Sequence, residues 1–323
     1  MTQLSRVSGA VLAALIVSSC GGEDSPSPTP SPIATATPTP TPTPTPTFSY
    51  TEFANLTGVQ DFGTACVAYR PRGNNMPGLD GEVLFSGAGA VDLDATTGVW
   101  TIAEINGATV RTIGPESITS TTATRVEYNS TATAVPFRLS VITPQVAGQS
   151  ARYGRAISYL LPLAGGGGQS GFCTLGVATD PDDIPATTTV TYSNVAMEGV
   201  VLDEPAGGGQ PIVSRVISGS GTITGNTTTG EITFSLTYVV EAPGGVQTTI
   251  GPITGTAPID LGNDSRAGYR NLIGDGTPPQ YAVNGAFYGP QGRETGFILY
   301  SFQDADSNGL NERVVLIGGY ATR

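Results

Sequence analysis

The segment EITFSLTYVV, residues 231–240, alternates strictly. Ile232, Phe234, Leu236, Tyr238 and Val240 fall on one face, and Thr233, Ser235 and Thr237 on the other. A period of two built from aromatic, β-branched and hydroxyl residues describes a strand with one buried and one wetted face. After Phe48 no stretch carries a comparable 3.6-residue apolar pattern, and turn signals recur at short intervals among Thr, Val, Gly and Ser. The chain is therefore expected to be all-β. Its 323 residues suffice for one large or two modest domains. AGGGGQSG, residues 164–171, is the natural hinge, separating a β domain over 48–168 from a second over 169–323. Thr96-Thr97-Gly98 recurs as Thr228-Thr229-Gly230, and Ile113-Gly114-Pro115 as Ile250-Gly251-Pro252. Shared turn chemistry and two related β-lobes explain this equally well.

The stretch from Ser25 to Thr47 belongs to neither domain. Prolines at alternate positions remove backbone donors and bury no core, so it reads as an extended spacer, roughly 60–70 Å long at ~3.1 Å per residue. A role as an SH3-type ligand is the other reading of such sequence. Ahead of it stand Arg6, an apolar run from Val11 to Val17, and small residues before Cys20. That run is too short for the ~20 residues of a spanning helix and fits a secretory signal. Val17-Ser18-Ser19-Cys20 resembles the bacterial lipoprotein box, in which the Cys is diacylated and begins the mature chain. The resemblance implies a signal peptide over 1–19, a lipidated Cys20 with its linker over 20–47, and a membrane as partner. In that class the residue after the Cys influences sorting, and Gly21, rather than Asp, implies the outer membrane of a Gram-negative cell. Ordinary signal cleavage leaving Cys20 unmodified is the alternative. With Cys20 assigned to lipid, Cys66 and Cys173 remain as an even pair in an exported chain, expected to be bridged. Two buried free thiols are the alternative.

Two absences exclude whole chemistries. The chain has no histidine, and all fourteen basic residues are arginine. Ser-His-Asp and Cys-His nucleophile systems, His-ligated zinc, P-loop lysines and Schiff bases are thereby removed. Carboxylate pairs remain, so a hydrolase would need two convergent acids about 5–9 Å apart. The formal charge of −12 argues against nucleic acid as a partner, because phosphate binding needs a basic face.

Two stretches carry candidate ligands. In DADSNGLNE, Asp304, Asp306, Asn308 and Glu312 take positions 1, 3, 5 and 9 of a Gly-turned loop, with Leu310 offering a carbonyl. Oxygen ligands at alternate positions suit Ca²⁺. Val315 stands where an EF-hand needs its bidentate Glu, so the expectation is a hairpin loop between strands Phe297–Phe302 and Arg313–Ile317, with a plain Asn-Gly turn as the alternative. Between Leu261 and Gln280 lies the longest stretch of the second domain without strand character. It holds Arg266, Tyr269 and Arg270, residue types that dominate binding hot spots, with Leu272 and Ile273 as apolar anchors. A flap capping the barrel end is the other reading.

NGAFYGPQGRETGF, residues 284–297, sets two aromatics among four glycines. Such glycines let a strand bend at a barrel corner and let a neighbouring ring cover the backbone. The stretch resembles the Gly-x-Phe-Tyr-Gly-Pro…Glu-x-Gly-Gly signature of the transferrin-binding protein B family, matching at Gly285, Phe287, Tyr288, Gly289, Pro290, Glu294 and Gly296. Phe297 replaces the second terminal glycine, and the usual Ala before the Glu is absent. Residues 176–199, with Pro185 and Tyr192, are similar to the family's first barrel strand, and VVLIGGYA, residues 314–321, to its closing strand. The resemblance spans roughly residues 172–323. It implies an N-terminal β "handle" domain followed by an eight-stranded up-and-down antiparallel β-barrel, carried on a Gram-negative outer membrane. It also implies a non-catalytic surface lipoprotein that captures a protein or an iron carrier through loops. This chain is about one lobe of such a protein rather than two, and no motif here reproduces the family's binding loops. A carrier holding a small ligand inside the barrel, with Tyr in place of the missing His for a haem, and a carboxylate hydrolase are the alternatives.

Overall fold

In the computed structural model, residues 47–323 are described apart from 63, 73–74, 86–89, 133, 187, 206–208, 262–266, 274–280 and 304–311. Thirteen strands precede the barrel: β1 (Val59–Asp61), β2 (Ala65–Arg72), β3 (Asn75–Val83), β4 (Val91–Asp94), β5 (Val99–Ala103), β6 (Val110–Ile113), β7 (Ile118–Thr121), β8 (Arg125–Ser130), β9 (Phe137–Ile142), β10 (Gln145–Val146), β11 (Gln149–Ser150), β12 (Gly154–Pro162) and β13 (Gly168–Gly176). A seven-stranded sheet runs β3-β2-β13-β12-β9-β8-β7, and a four-stranded one runs β1-β4-β5-β6. Trp100 and Ile102 from the small sheet and Leu139, Ile157, Tyr159 and Leu161 from the large one share a buried core. This is the handle.

The barrel comprises β14 (Thr189–Tyr192), β15 (Asn194–Asp203), β16 (Ile212–Asn226), β17 (Glu231–Glu241), β18 (Gln247–Asp260), β19 (Gly268–Ile273), β20 (Tyr281–Tyr288), β21 (Glu294–Gln303) and β22 (Arg313–Thr322). From β15 to β22 each strand pairs antiparallel with the next. β22 returns to β15 and closes an eight-stranded up-and-down ring. β14 continues the line of β15 beyond Ser193 and pairs with the far half of β16. In β17 burial alternates along the strand, with Ile232, Phe234, Leu236, Tyr238 and Val240 inside. β21 and β22 are buried on both faces instead. Their inner residues, Phe297, Leu299, Val315 and Ile317, fill the barrel. Their outer residues, Ile298, Tyr300, Val314 and Leu316, pack with Val67 of the handle sheet. A strand covered on both sides needs the near-continuous apolar run that FILYSF and VVLI provide. Handle and barrel thus lie within one compact unit, Thr47–Arg323.

The glycine run expected as a hinge is the tip of a hairpin. Gly166 and Gly167 turn at φ 88° and 75°, and β13 then pairs with β12 along its whole length. β13 belongs to the handle sheet, and the chain crosses to the barrel between Gly176 and Thr189. A 3-10 turn at Pro181–Asp183 lies on this crossing, its first amide capped by the Asp180 side chain. Cys66 and Cys173 stand directly opposite each other on β2 and β13 and are joined by a disulfide. The short repeat has a local cause. Asp94 accepts from the amides of Thr96 and Thr97, and Asn226 accepts from those of Thr228 and Thr229. Each turn ends on a glycine of positive φ, Gly98 and Gly230. The same turn joins β4 to β5 and β16 to β17, in unrelated sheets.

Candidate functional site

The residues of the NGAFYGPQGRETGF stretch fasten the two β units together. Glu294 is buried at 2% exposure. One oxygen accepts from the amide of Arg152 at 2.8 Å. The other accepts from the amide of Tyr153 at 3.0 Å and the hydroxyl of Tyr320 at 2.5 Å. The Tyr320 hydroxyl titrates well above its ordinary value, because burial and the adjacent Glu294 carboxylate both disfavour the phenolate. Asn284 donates to the carbonyl of Val83 at 2.8 Å, a further bond from barrel to handle. Gly289 has φ 70°, and a Cβ there would meet the Tyr153 ring at 2.4 Å. Gly285 lies opposite Tyr269, whose ring occupies the place of its missing side chain. Each of these residues has a hydrogen-bond or packing partner within the protein.

Phe297 departs from the family signature and is accommodated from across the sheet. It pairs with Gly319, whose absent Cβ would lie 2.0 Å from the Phe297 ring. The ring points into the barrel beside Phe234. Tyr192, Tyr238, Tyr281 and Phe287 complete an interior packed with the chain's own side chains. A ligand inside the barrel would have to displace them.

Of the expected binding loop, residues 262–266 and 274–280 lie outside the described residues, and the part between them is a strand. Residues 268–273 form strand β19, and Tyr269 points inward at 2% exposure, its hydroxyl 2.7 Å from that of Thr295. It cannot meet an outside partner. Arg270 is on the outer face, paired with Glu82 of the handle, and Leu272 is 62% exposed. Arg266 lies outside the described residues, as do Cys20, Asp304, Asp306, Asn308 and Leu310. Glu312 is described, and its backbone bonds Gln303 and Glu204 at the base of the β21–β22 hairpin. Among the described residues no group of three metal-ligating side chains converges.

Two carboxylates do converge on Arg70. Asp80 lies 2.5 Å from its Nε and Glu104 lies 2.6 Å from its Nη2. Hydrogen bonds from Thr109, opposed in part by burial and assisted by Arg70, hold Glu104 below its ordinary value. A hydrolytic general acid needs its carboxyl raised instead. Gln169 bonds Asp80 and both backbone groups of Ile105, so the cluster ties the two handle sheets.

The feature that sequence reading missed is a cleft between the handle sheet and the barrel wall. Its volume is about 480 Å³. Phe172, Val200 and Ile217 make an apolar side, and Arg125, Ser158 and Arg215 bring polar groups to it. An adjoining hollow of about 210 Å³ shares Arg125, Met197 and Glu198. Arg125 spans the gap, bonded to Glu127 and Ser140 on the handle and to Glu198 on the barrel. No local motif marks these residues, because β8, β12 and β16 meet only through the docking of the two units.

No family model and no curated protein matches the chain. Among solved structures it is similar to a mutant of the vaccine antigen Transferrin Binding Protein B from Haemophilus parasuis Hp5, at 13% identity over 81% of this chain and 44% of that one, with a TM-score of 0.43. It is similar to isotype 1 Transferrin Binding Protein B from serogroup B Neisseria meningitidis, at 12% identity over 80% of this chain and 43% of that one, TM-score 0.38. It is also similar to HpuA from Kingella denitrificans, solved in complex with human haemoglobin, at 12% identity over 81% of this chain and 88% of that one, TM-score 0.31. The chain spans less than half the length of the Transferrin Binding Protein B structures it matches.

Proposed function

We propose that the protein is a non-catalytic binding lipoprotein of the outer membrane, anchored through Cys20, which captures a protein or iron-carrier ligand on its outer surface. The observation that carries this reading is the filled barrel. With the interior occupied by Phe234, Tyr238, Tyr269, Phe287 and Phe297, outward surfaces are what the barrel offers a partner. The missing histidine and lysine and the depressed Glu104 favour binding over catalysis. The lipoprotein-box resemblance and the Pro/Thr spacer supply the display.

The test uses the full chain in nonionic detergent, immobilised and exposed to iron-loaded transferrin and to haemoglobin as probes. Saturable binding of either, unaffected by Cys20→Ser, is expected. Binding of neither at micromolar concentration would overturn the capture of an iron carrier. Loss of fatty-acid labelling in Cys20→Ser checks the anchor, and equal labelling of both forms would overturn it.

A further inference from the structure

We propose that the cleft between handle and barrel is a binding site for a small organic carboxylate with an apolar body. Size comes first. A volume of about 480 Å³ lies within the range of small-molecule sites, whereas a protein segment would need a longer groove.

Charge comes next. Arg215 projects from β16 at the cleft and makes no ion pair among the described residues. Arg125 stands across from it, already bonded to Glu127 and Glu198. Arg125 is engaged by its two glutamates, and Glu241, directly across the sheet from Arg215, accepts from Gln247 instead, so Arg215 is the guanidinium left for an anion. An unengaged guanidinium fork matches a carboxylate bidentately. The Ser158 hydroxyl, half-buried and without a partner among the described residues, is a further donor on the cleft wall.

The apolar side sets the rest of the ligand. Phe172, Val200 and Ile217 offer a surface to a ring or a short chain, and Ile217 is 45% exposed without cover. Inorganic phosphate would leave this side unused. An uncharged apolar molecule would leave Arg215 unused. A carboxylate on an aromatic or branched body uses both. This site is separate from the surface capture proposed above, and either can fail without the other.

The experiment is fluorine NMR with the full chain in nonionic detergent. The probe is 4-fluorophenylacetate, and 4-fluorophenethyl alcohol is its uncharged control. Saturable broadening of the carboxylate and not of the alcohol is expected. Arg215→Gln should weaken the carboxylate about tenfold, the scale of one lost charge-assisted hydrogen bond. Arg215→Lys should retain part of the affinity, since a point charge replaces the fork. Arg293→Gln, exposed at the barrel turn, should bind as the parent does. Arg215 is exposed and unpaired, so its variants should fold, and circular dichroism verifies this. Equal broadening of acid and alcohol, no saturation at millimolar probe, or unchanged affinity in Arg215→Gln would each overturn the proposal.

Discussion

At the scale of single residues, the fold depends on rings laid over glycines. Tyr269 covers Gly285 and Phe297 covers Gly319, each pair directly opposite on neighbouring strands. The exchange is specific in shape, because an added Cβ meets a ring already wedged in the barrel core. Gly319→Ala is therefore expected to destabilise the protein by roughly 1–3 kcal/mol through overpacking. Phe297→Ala alone should cost roughly 3–5 kcal/mol by leaving a cavity. In the double variant the added methyl no longer meets a ring, so the two costs should fall short of their sum. Urea unfolding of all four proteins measures that coupling, and simple additivity would show that the pair does not act as one unit. The Gly-aromatic stretch was legible as barrel-corner chemistry. That Phe297 fits where a glycine is usual was not, because its compensating partner lies 22 residues away on the next strand.

At the scale of elements, β17 could be read directly, since its outer face meets water and keeps the polar half of the alternation. β19 could not. Its six residues carry an inward Tyr269, an outward Arg270 and an exposed Leu272, a pattern shared with a binding loop until the neighbouring strands are known. The glycine run before β13 misled for a related reason, because linkers and hairpin tips use the same residues. Two cross-links make the handle sensitive to conditions. The Cys66–Cys173 bridge closes 107 residues, and the chain-entropy model assigns such a loop ~4–5 kcal/mol. A Cys66→Ala/Cys173→Ala variant should lose stability on that scale in thermal unfolding. Glu104, below its ordinary 4.5 in the fold, contributes stability that is fully present above that value and is lost as pH falls through its folded pKa. Glu104→Gln should therefore show a smaller drop in urea midpoint between about pH 6 and about pH 3 than the parent. An identical drop in both would assign the acid sensitivity elsewhere.

At the scale of the whole molecule, handle and barrel share the clusters around Ile298 and Tyr288 and the hydrogen bonds of Glu294, so they should unfold together. The single tryptophan, Trp100, reports the handle core alone, whereas buried tyrosines report both units, Tyr128 and Tyr159 in the handle and Tyr192, Tyr238, Tyr269 and Tyr281 in the barrel. Tryptophan fluorescence and near-ultraviolet tyrosine dichroism are expected to report one coincident urea transition, and separated midpoints would show two independent units. The same junction also gathers both ends of the folded chain. Phe53 is bonded to Arg152, and Tyr50 accepts from the Asp180 amide and packs on Tyr153. At the other terminus the Arg323 amide donates to Arg293, beside the Gly289–Arg293 turn that abuts Tyr153. Strand ends Asp203, Glu241, Ile273 and Gln303 face the opposite rim. The linear order of the chain is therefore incidental to the closed ring. A circular permutant that joins Arg323 to Thr47 through a flexible spacer and opens the chain in the Gly244-Gly245 turn would keep every strand beside its present neighbours.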